Sequence, residues 1–249
     1  MLTIGDPEHQ IPVWQLQDLP DNCAVAAQAS IINQFLPHHD HLSLDQANYI
    51  AFSNGWYHPG GGGTAPDDVG RLFDVYDIPH HQVDHASIAQ LASELQQGHS
   101  IIVGVKGSEL WNEGPLSEFW NWLINKLGLN TATFNPADHA VCVTGINVTD
   151  PAHPTVCLND SGDPHGAGIE YPLDRFAEAW SASNFHYVAT DVAPPSGTVP
   201  HFDIGTFLGV GTTLVTVANG LDFATAVEAG EFVTEISERV DWDQILAAI

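Results

Sequence analysis

His139-Ala140-Val141-Cys142-Val143-Thr144-Gly145-Ile146 is an apolar run rich in β-branched residues with a polar residue at its mouth. Its place in the chain decides the fold class. Ser100 to Val105 (SIIVGV) is a similar run upstream, and Thr155 to Leu158 and His186 to Thr190 follow downstream. Runs of this length and composition predict short strands. One helical segment, Leu173 to Trp180, interrupts them. Before Ser100 the signals are helical. A helix is expected from Cys23 to Phe35, capped by Asp21 or Asn22 and stopped before Pro37. A second opens with the box Ser43-x-x-Gln46 and ends near Asn54-Gly55. Thr64, after the glycines Gly60 to Gly63, is expected to cap a third that ends before Ile78-Pro79. A fourth begins at Ser87-x-x-Gln90, sets Ile88, Leu91, Ala92 and Leu95 on one face, and stops at Gly98. N-terminal helices followed by consecutive strands predict an α+β fold with an antiparallel sheet.

Working outward, the stretch Ala193-Pro194-Pro195-Ser196-Gly197-Thr198-Val199-Pro200 reads as a linker. It divides a body, residues 1–192, from a tail, residues 201–249, whose apolar residues fall at mixed helical spacing. Phe223, Val227, Phe232, Ile236 and Val240 in this tail can cover the body, form a homo-oligomer or engage a partner protein. Between the first two strand runs lies a long insertion, Lys106 to Asp138. It carries Trp111, Trp120 and Trp122, and a short helix is expected from Ser117 to Leu127. A connection of that length suits either a cleft wall or a small core of its own.

Charge narrows the partners. The 249 residues contain 31 Asp and Glu against five Lys and Arg, a formal net charge of -26. Such a surface repels nucleic acid and anionic membranes, so neither is expected as a partner. No stretch reaches the roughly 18 apolar residues a membrane span requires. The N-terminus MLTIGDPEHQ shows no secretory signal, leaving the compartment open between the cytoplasm and non-classical export. Three cysteines, with no Cys-x-x-Cys pair, do not make a disulfide framework. The histidine clusters His38-His39-x-His41, His80-His81 and His85 lie near Asp40, Asp77 and Asp84, but no zinc-ligand spacing is present. They read as solvated loops, and neither a metal nor a cofactor is expected. Gly60 to Gly63 lacks the Lys-Ser/Thr ending of a phosphate loop and reads as a turn at a cleft edge.

The chemistry concentrates elsewhere. Cys23 opens the first helix, where unpaired N–H groups and the helix dipole favour a thiolate. Gln17, six residues earlier, can aim a side-chain N–H beside the Cys23 backbone N–H at an oxygen gaining charge. Gln15 competes for that role. His139 stands at the mouth of one strand and Asp160 closes the next, Val156-Cys157-Leu158-Asn159-Asp160. Antiparallel neighbours bring the start of one beside the end of the other, so Asp160 can accept from His139 and fix its tautomer. Alternation turns Asn159 to the opposite face.

These residues, in this order, resemble the C39-like cysteine peptidases of the papain fold. The matching stretches are Gln17…Asp21-Asn22-Cys23-Ala24-Val25-Ala26-Ala27, Gly62-Gly63-Thr64 and Gly98-His99-Ser100-Ile101-Ile102-Val103. Asp138-His139-Ala140-Val141…Thr144-Gly145, Asn159-Asp160-Ser161-Gly162 and Leu173-Asp174-Arg175-Phe176…Trp180 complete them. Ala24-Val25 stands where the family often has Gly-Pro. The resemblance implies a papain-like body with Cys23 as nucleophile, His139 as general base, Asp160 as its orienter and Gln17 as oxyanion-hole donor. A peptide or protein would be the substrate, cleaved at a peptide or amide bond through a thioester. The same group would also serve an acyl or amide transferase, and the same fold a non-catalytic peptide-binding module.

Overall fold

The computed structural model describes residues 2–111, 137–150 and 152–195. Among the described residues seven strands form one antiparallel sheet: β1 (Thr3–Gly5), β2 (His80–Val83), β3 (Ile101–Val105), β4 (His139–Asn147), β5 (Thr155–Asn159), β6 (Ala167–Pro172) and β7 (Tyr187–Thr190). Their order is β2-β7-β3-β4-β5-β6, with β1 also paired to β4. The helices are α1 (Pro7–Gln10), α2 (Cys23–Phe35), α3 (Leu44–Ser53), α4 (Arg71–Val75), α5 (Ile88–Gln96), α6 (Gly107–Trp111) and α7 (Leu173–Ser181). The expected α+β architecture with an antiparallel sheet is the one observed.

The nine-residue strand β4 is the spine. One edge pairs β3 along residues 139–143 and β1 along residues 145–147, while the other edge pairs β5. Alternation along β3 and β4 feeds two cores. Val103, Val105, Val141 and Val143 face Ile88, Leu91 and Leu95 of α5 and Phe176 and Trp180 of α7. Ile102, Ala140 and Cys142 face Ala24, Ala27 and Ile31 of α2, with α3 and α4 beyond. Helices therefore cover both faces, which is why β4 is buried over eight consecutive residues.

Both expected capping boxes form: Ser43 and Ser87 each accept the N–H of the glutamine three residues on, and each glutamine reaches back. Three local expectations are corrected. Thr64 caps no helix, because Pro66 begins a 3-10 turn at Pro66–Asp68 and α4 starts only at Arg71, after Gly70 at φ +104°. Neither Asp21 nor Asn22 caps α2 with its side chain. Asn22 instead donates to Asp18 and Asn48, and Asp21 accepts from Tyr57 and Gly61. His80 and His81 are not in a loop: they lie in β2, paired with β7. Strands β1, β2 and β6 are additions to the strands expected from the sequence. The insertion opens with α6, while Trp120, Trp122 and the helix expected from Ser117 to Leu127 lie outside the described residues, as does the tail. No helix among the described residues is long and apolar enough to cross a membrane.

Trp180 anchors the α7 side of the sheet. It is fully buried, stacks on Phe176 with centroids 5.6 Å apart, and donates Nε1–H to the His186 carbonyl at 2.8 Å. Trp180→Ala should destabilise the body by about 3–5 kcal/mol, and urea unfolding followed by circular dichroism would register it as a lower midpoint.

Candidate active site

The site forms where the start of α2 meets the start of β4. Small residues make this approach close: Ala24 and Ala27 on the helix lie against Ala140 and Cys142 on the strand, and the Cys142 thiol reaches the Ala27 carbonyl at 3.5 Å. Ala140 follows His139 and Ala24 follows Cys23, so packing two alanines brings the imidazole to the sulfur. The Cys23 sulfur stands close enough to the His139 ring to raise its pKa, and through Nε2 the ring meets the Asp160 carboxylate at 2.7 Å. Nε2 being taken, Nδ1 is the ring nitrogen left to the sulfur.

Asp160 has no exposed side-chain surface and His139 has 5%. A charge buried that deeply needs several donors. Asp160 has them: Oδ1 accepts from His139 Nε2 and from the Gly162 N–H at 2.8 Å, and Oδ2 accepts from Trp111 Nε1 at 2.8 Å. Burial by itself would raise its pKa, but the bond and charge of His139, with the Trp111 and Gly162 donors, outweigh this and hold the carboxyl below its ordinary range. Burial by itself would likewise lower the His139 pKa. The hydrogen bonds to Asp160 and Cys23 and the two negative partners reverse that and carry it up to about 9. The arrangement favours a protonated ring beside an ionised Asp160.

The other two thiols lack this setting. Cys142 and Cys157 are buried, and desolvation pushes each up to about 12, with Asp160 adding for Cys142 and Glu170 for Cys157. Cys23 is partly exposed.

Gln17 is held near the acid. Its N–H donates to the Ser161 carbonyl at 2.9 Å, Ser161 Oγ donates to its Oε1 at 3.4 Å, and its Nε2 donates to the Leu19 carbonyl at 3.0 Å. Trp14 ties the same segment to the acid through Nε1 and the Asp160 carbonyl at 3.0 Å. Gln15 is turned away, with its amide on the Leu42 carbonyl. Asn159 also faces elsewhere, donating to the Gln10 carbonyl and accepting from the Gly168 N–H. The backbone N–H of Cys23 is one of the donors that the first turn of a helix leaves without an intrahelical partner. Asp21 fixes the glycine turn beside α2, accepting from Tyr57 OH at 2.7 Å and the Gly61 N–H at 2.6 Å.

Trp111 has a part in the site that the sequence did not assign to it. Its ring lies over His139 with centroids 5.0 Å apart while its N–H reaches Asp160. Two glycines make room for it. A Cβ on Gly107 would stand 2.9 Å from the indole, and one on Gly162 would stand 2.9 Å from both the indole and His139 Cε1. Asp138 ties this helix to β4, accepting from the Gly107 N–H at 2.8 Å and from Lys106 Nζ. The wealth of tryptophan in the insertion was the one signal in the sequence; its hydrogen bond to a residue 49 positions away left none.

No group of three or more metal-ligating side chains is assembled among the described residues, and the polar atoms that converge on Asp160 are donors to an anion rather than ligands for a cation.

The Peptidase C39 like family matches residues 9–188. Uncharacterized proteins of Mycobacterium tuberculosis and Mycobacterium bovis are 31% identical over 205 residues, 72% of this chain and 81% of theirs. The fold is similar to the crystal structure of a candidate C39-like peptidase from Bacillus anthracis, with a TM-score of 0.51 at 11% identity, covering 76% of this chain and 98% of that one. By the match across residues 9–188, the chain belongs to the Peptidase C39 like family.

Proposed function

We propose that this protein is a cysteine hydrolase that cleaves a peptide or amide bond through a thioester on Cys23. The observation that carries the proposal is the imidazole of His139, shared between the Cys23 sulfur and a fully buried, fully hydrogen-bonded Asp160. A surface histidine has no need of such an acid; a ring that must hold one tautomer and accept positive charge does.

In this reading the sulfur of Cys23 attacks the carbonyl carbon, and the carbonyl oxygen takes the electron pair of the broken π bond. The Cys23 N–H and the Gln17 amide face that oxygen, the amide turning from the Leu19 carbonyl or using its second N–H. Collapse of the tetrahedral adduct breaks the C–N bond as His139 gives its proton to the leaving nitrogen. Water then adds to the thioester, His139 takes its proton, and a carboxylic acid leaves the regenerated sulfur. Asp160 remains ionised throughout and orients the ring. The Trp111 indole limits water at the His139–Asp160 bond.

A peptide vinyl sulfone should form a single adduct, at Cys23, with Cys142 and Cys157 unlabelled by intact and fragment mass analysis. Cys23→Ala should remove both adduct and cleavage, and His139→Ala should lower turnover by about 10²–10⁴-fold. Equal, slow labelling of all three thiols would defeat the proposal and leave a peptide-binding module as the reading.

The raised ring pKa sets the sign of the pH dependence. Below about 9 the ring keeps the proton that the leaving nitrogen needs; above it the proton is lost. Amide cleavage should therefore fall through pH 9, whereas alkylation of Cys23, which has no leaving amine, should not fall with it. Asp160→Asn takes away a partner that lifts the ring, so the alkaline limb of cleavage should move to lower pH. Stopped-flow alkylation and steady-state cleavage over pH 6–10 would separate the two limbs.

Gly162→Ala should displace the Trp111 indole or the His139 ring. Its expected effect is a fall in kcat of about tenfold or more, following a loss on the order of 1.5 kcal/mol in one charge-assisted hydrogen bond, with a thermal midpoint lower by about 3–6 °C.

A further inference from the structure

A cavity of about 340 Å³ opens beside the site, lined by Trp111, Gly162, Asp163, Pro164, Ile169 and Tyr171. Two of these, Trp111 and Gly162, are the residues packed on His139. Trp111 and Gly162 thus form a wall shared by the cavity and the imidazole, the group that on the proposed chemistry protonates the departing nitrogen. On that chemistry the acyl half of the substrate stays on the sulfur and the amine half departs past the ring.

Its lining is selective. Trp111, Pro164, Ile169 and Tyr171 offer apolar or aromatic walls, and Asp163 is the one carboxylate among the six. The Asp163 side chain is 33% exposed; its Oδ1 accepts the His165 N–H at 2.8 Å, with the His165 ring nitrogen at 3.7 Å and that side chain 93% exposed. A cavity with aromatic and aliphatic walls and one carboxylate suits a long side chain with a cationic tip: methylenes against Ile169 and Pro164, and the tip near Asp163. The volume is at the low end for small-ligand cavities, about 300–1,000 Å³, and holds one side chain rather than a folded partner. The acidic surface, at -26 overall, draws such a residue in and repels an acidic one.

Resting on the Cys23–His139 reading, we infer that the cavity beside Trp111 is the leaving-group subsite and that it selects a lysine or arginine just after the scissile bond, with Asp163 as the specificity-determining residue.

The test digests a proteome-derived peptide library with the full chain and reads the new termini by mass spectrometry, in parallel with vinyl-sulfone labelling of Cys23. Lys and Arg should be enriched about three- to fivefold over Asp and Glu in the first two positions after the cut, the size expected of one partly exposed ion pair. Asp163→Asn should bring that ratio towards one, and Asp163→Lys should invert it. Because each readout is a ratio within one digest, partial loss of folded protein cancels. A flat or purely apolar preference, or a basic preference unchanged in both variants, would overturn the subsite while the Cys23 adduct upheld the chemistry. No adduct and no cleavage would remove the hydrolase reading, and the subsite with it.

Discussion

A carboxylate with no solvent-exposed surface is the constraint around which this molecule is organised. Ionised Asp160 has left water entirely, a step that costs several kcal/mol unless its oxygens are met by donors. Those donors come from distant parts of the chain: His139 from the first residue of β4, Trp111 from the last residue of α6, and Gly162 from the loop after β5. Its backbone is tied as well, its carbonyl to Trp14 and its N–H to the Gly166 carbonyl at 2.8 Å. The N-terminal segment, the insertion and the β5–β6 loop are thus held at one point. Removing any one donor leaves the acid short of a partner in a place water does not reach.

The second requirement is close approach, and small residues meet it. Alanines at positions 24, 27 and 140 let α2 lie near enough to β4 for the sulfur and the ring to meet. Glycines at 107 and 162 let the indole settle on the ring. Larger side chains at these points would bury more apolar area but would separate the sulfur from the ring and the ring from the indole. Packing gives way to close approach here, while bulky residues such as Trp180 and Phe176 fill the core behind the sheet.

The parts legible in the sequence are those set by local rules. Periodicity and capping boxes fixed α2, α3, α5 and α7 almost to the residue, and apolar runs marked β3, β4, β5 and β7. Strands β1, β2 and β6 were not legible. β2 reads HHQV and β6 contains Gly168, Glu170 and Pro172; both are strands at the ends of the sheet order, where partners on one side suffice and the apolar signal is weak. The α2 cap was misread because the side chains that suit capping, Asp21 and Asn22, are drawn into tertiary bonds with Tyr57, Gly61, Asp18 and Asn48. In the site, the meeting of Cys23, His139 and Asp160 followed from helix start, strand mouth and strand end. Trp111 did not follow, because its role depends on two glycines and an aspartate brought together only by the fold. Spacing alone prefers Gln17 to Gln15; in the fold the Gln15 amide is bonded to the Leu42 carbonyl and the Gln17 amide to the Leu19 carbonyl.

Burial, not distance, separates the His139–Asp160 pair from the other histidine–carboxylate pairs of this acidic chain. His9 and Asp6 stand 2.8 Å apart, and His153 and Asp150 3.0 Å, hardly farther than the 2.7 Å of the site. In those surface pairs water screens the attraction and leaves little of it. At the site the same attraction acts in a medium of lower effective permittivity, where Coulomb energy at equal separation is several times larger. The same medium penalises a neutral ring beside an ionised acid, since the carboxylate would then lack its strongest partner. The imidazolium is favoured for that reason, and the sulfur on the ring's other side meets a positive charge that solvent cannot neutralise. A chain with 31 acidic residues and five basic ones has few fixed cations with which to build such a charge, and a buried acid that holds a proton on histidine supplies it without one.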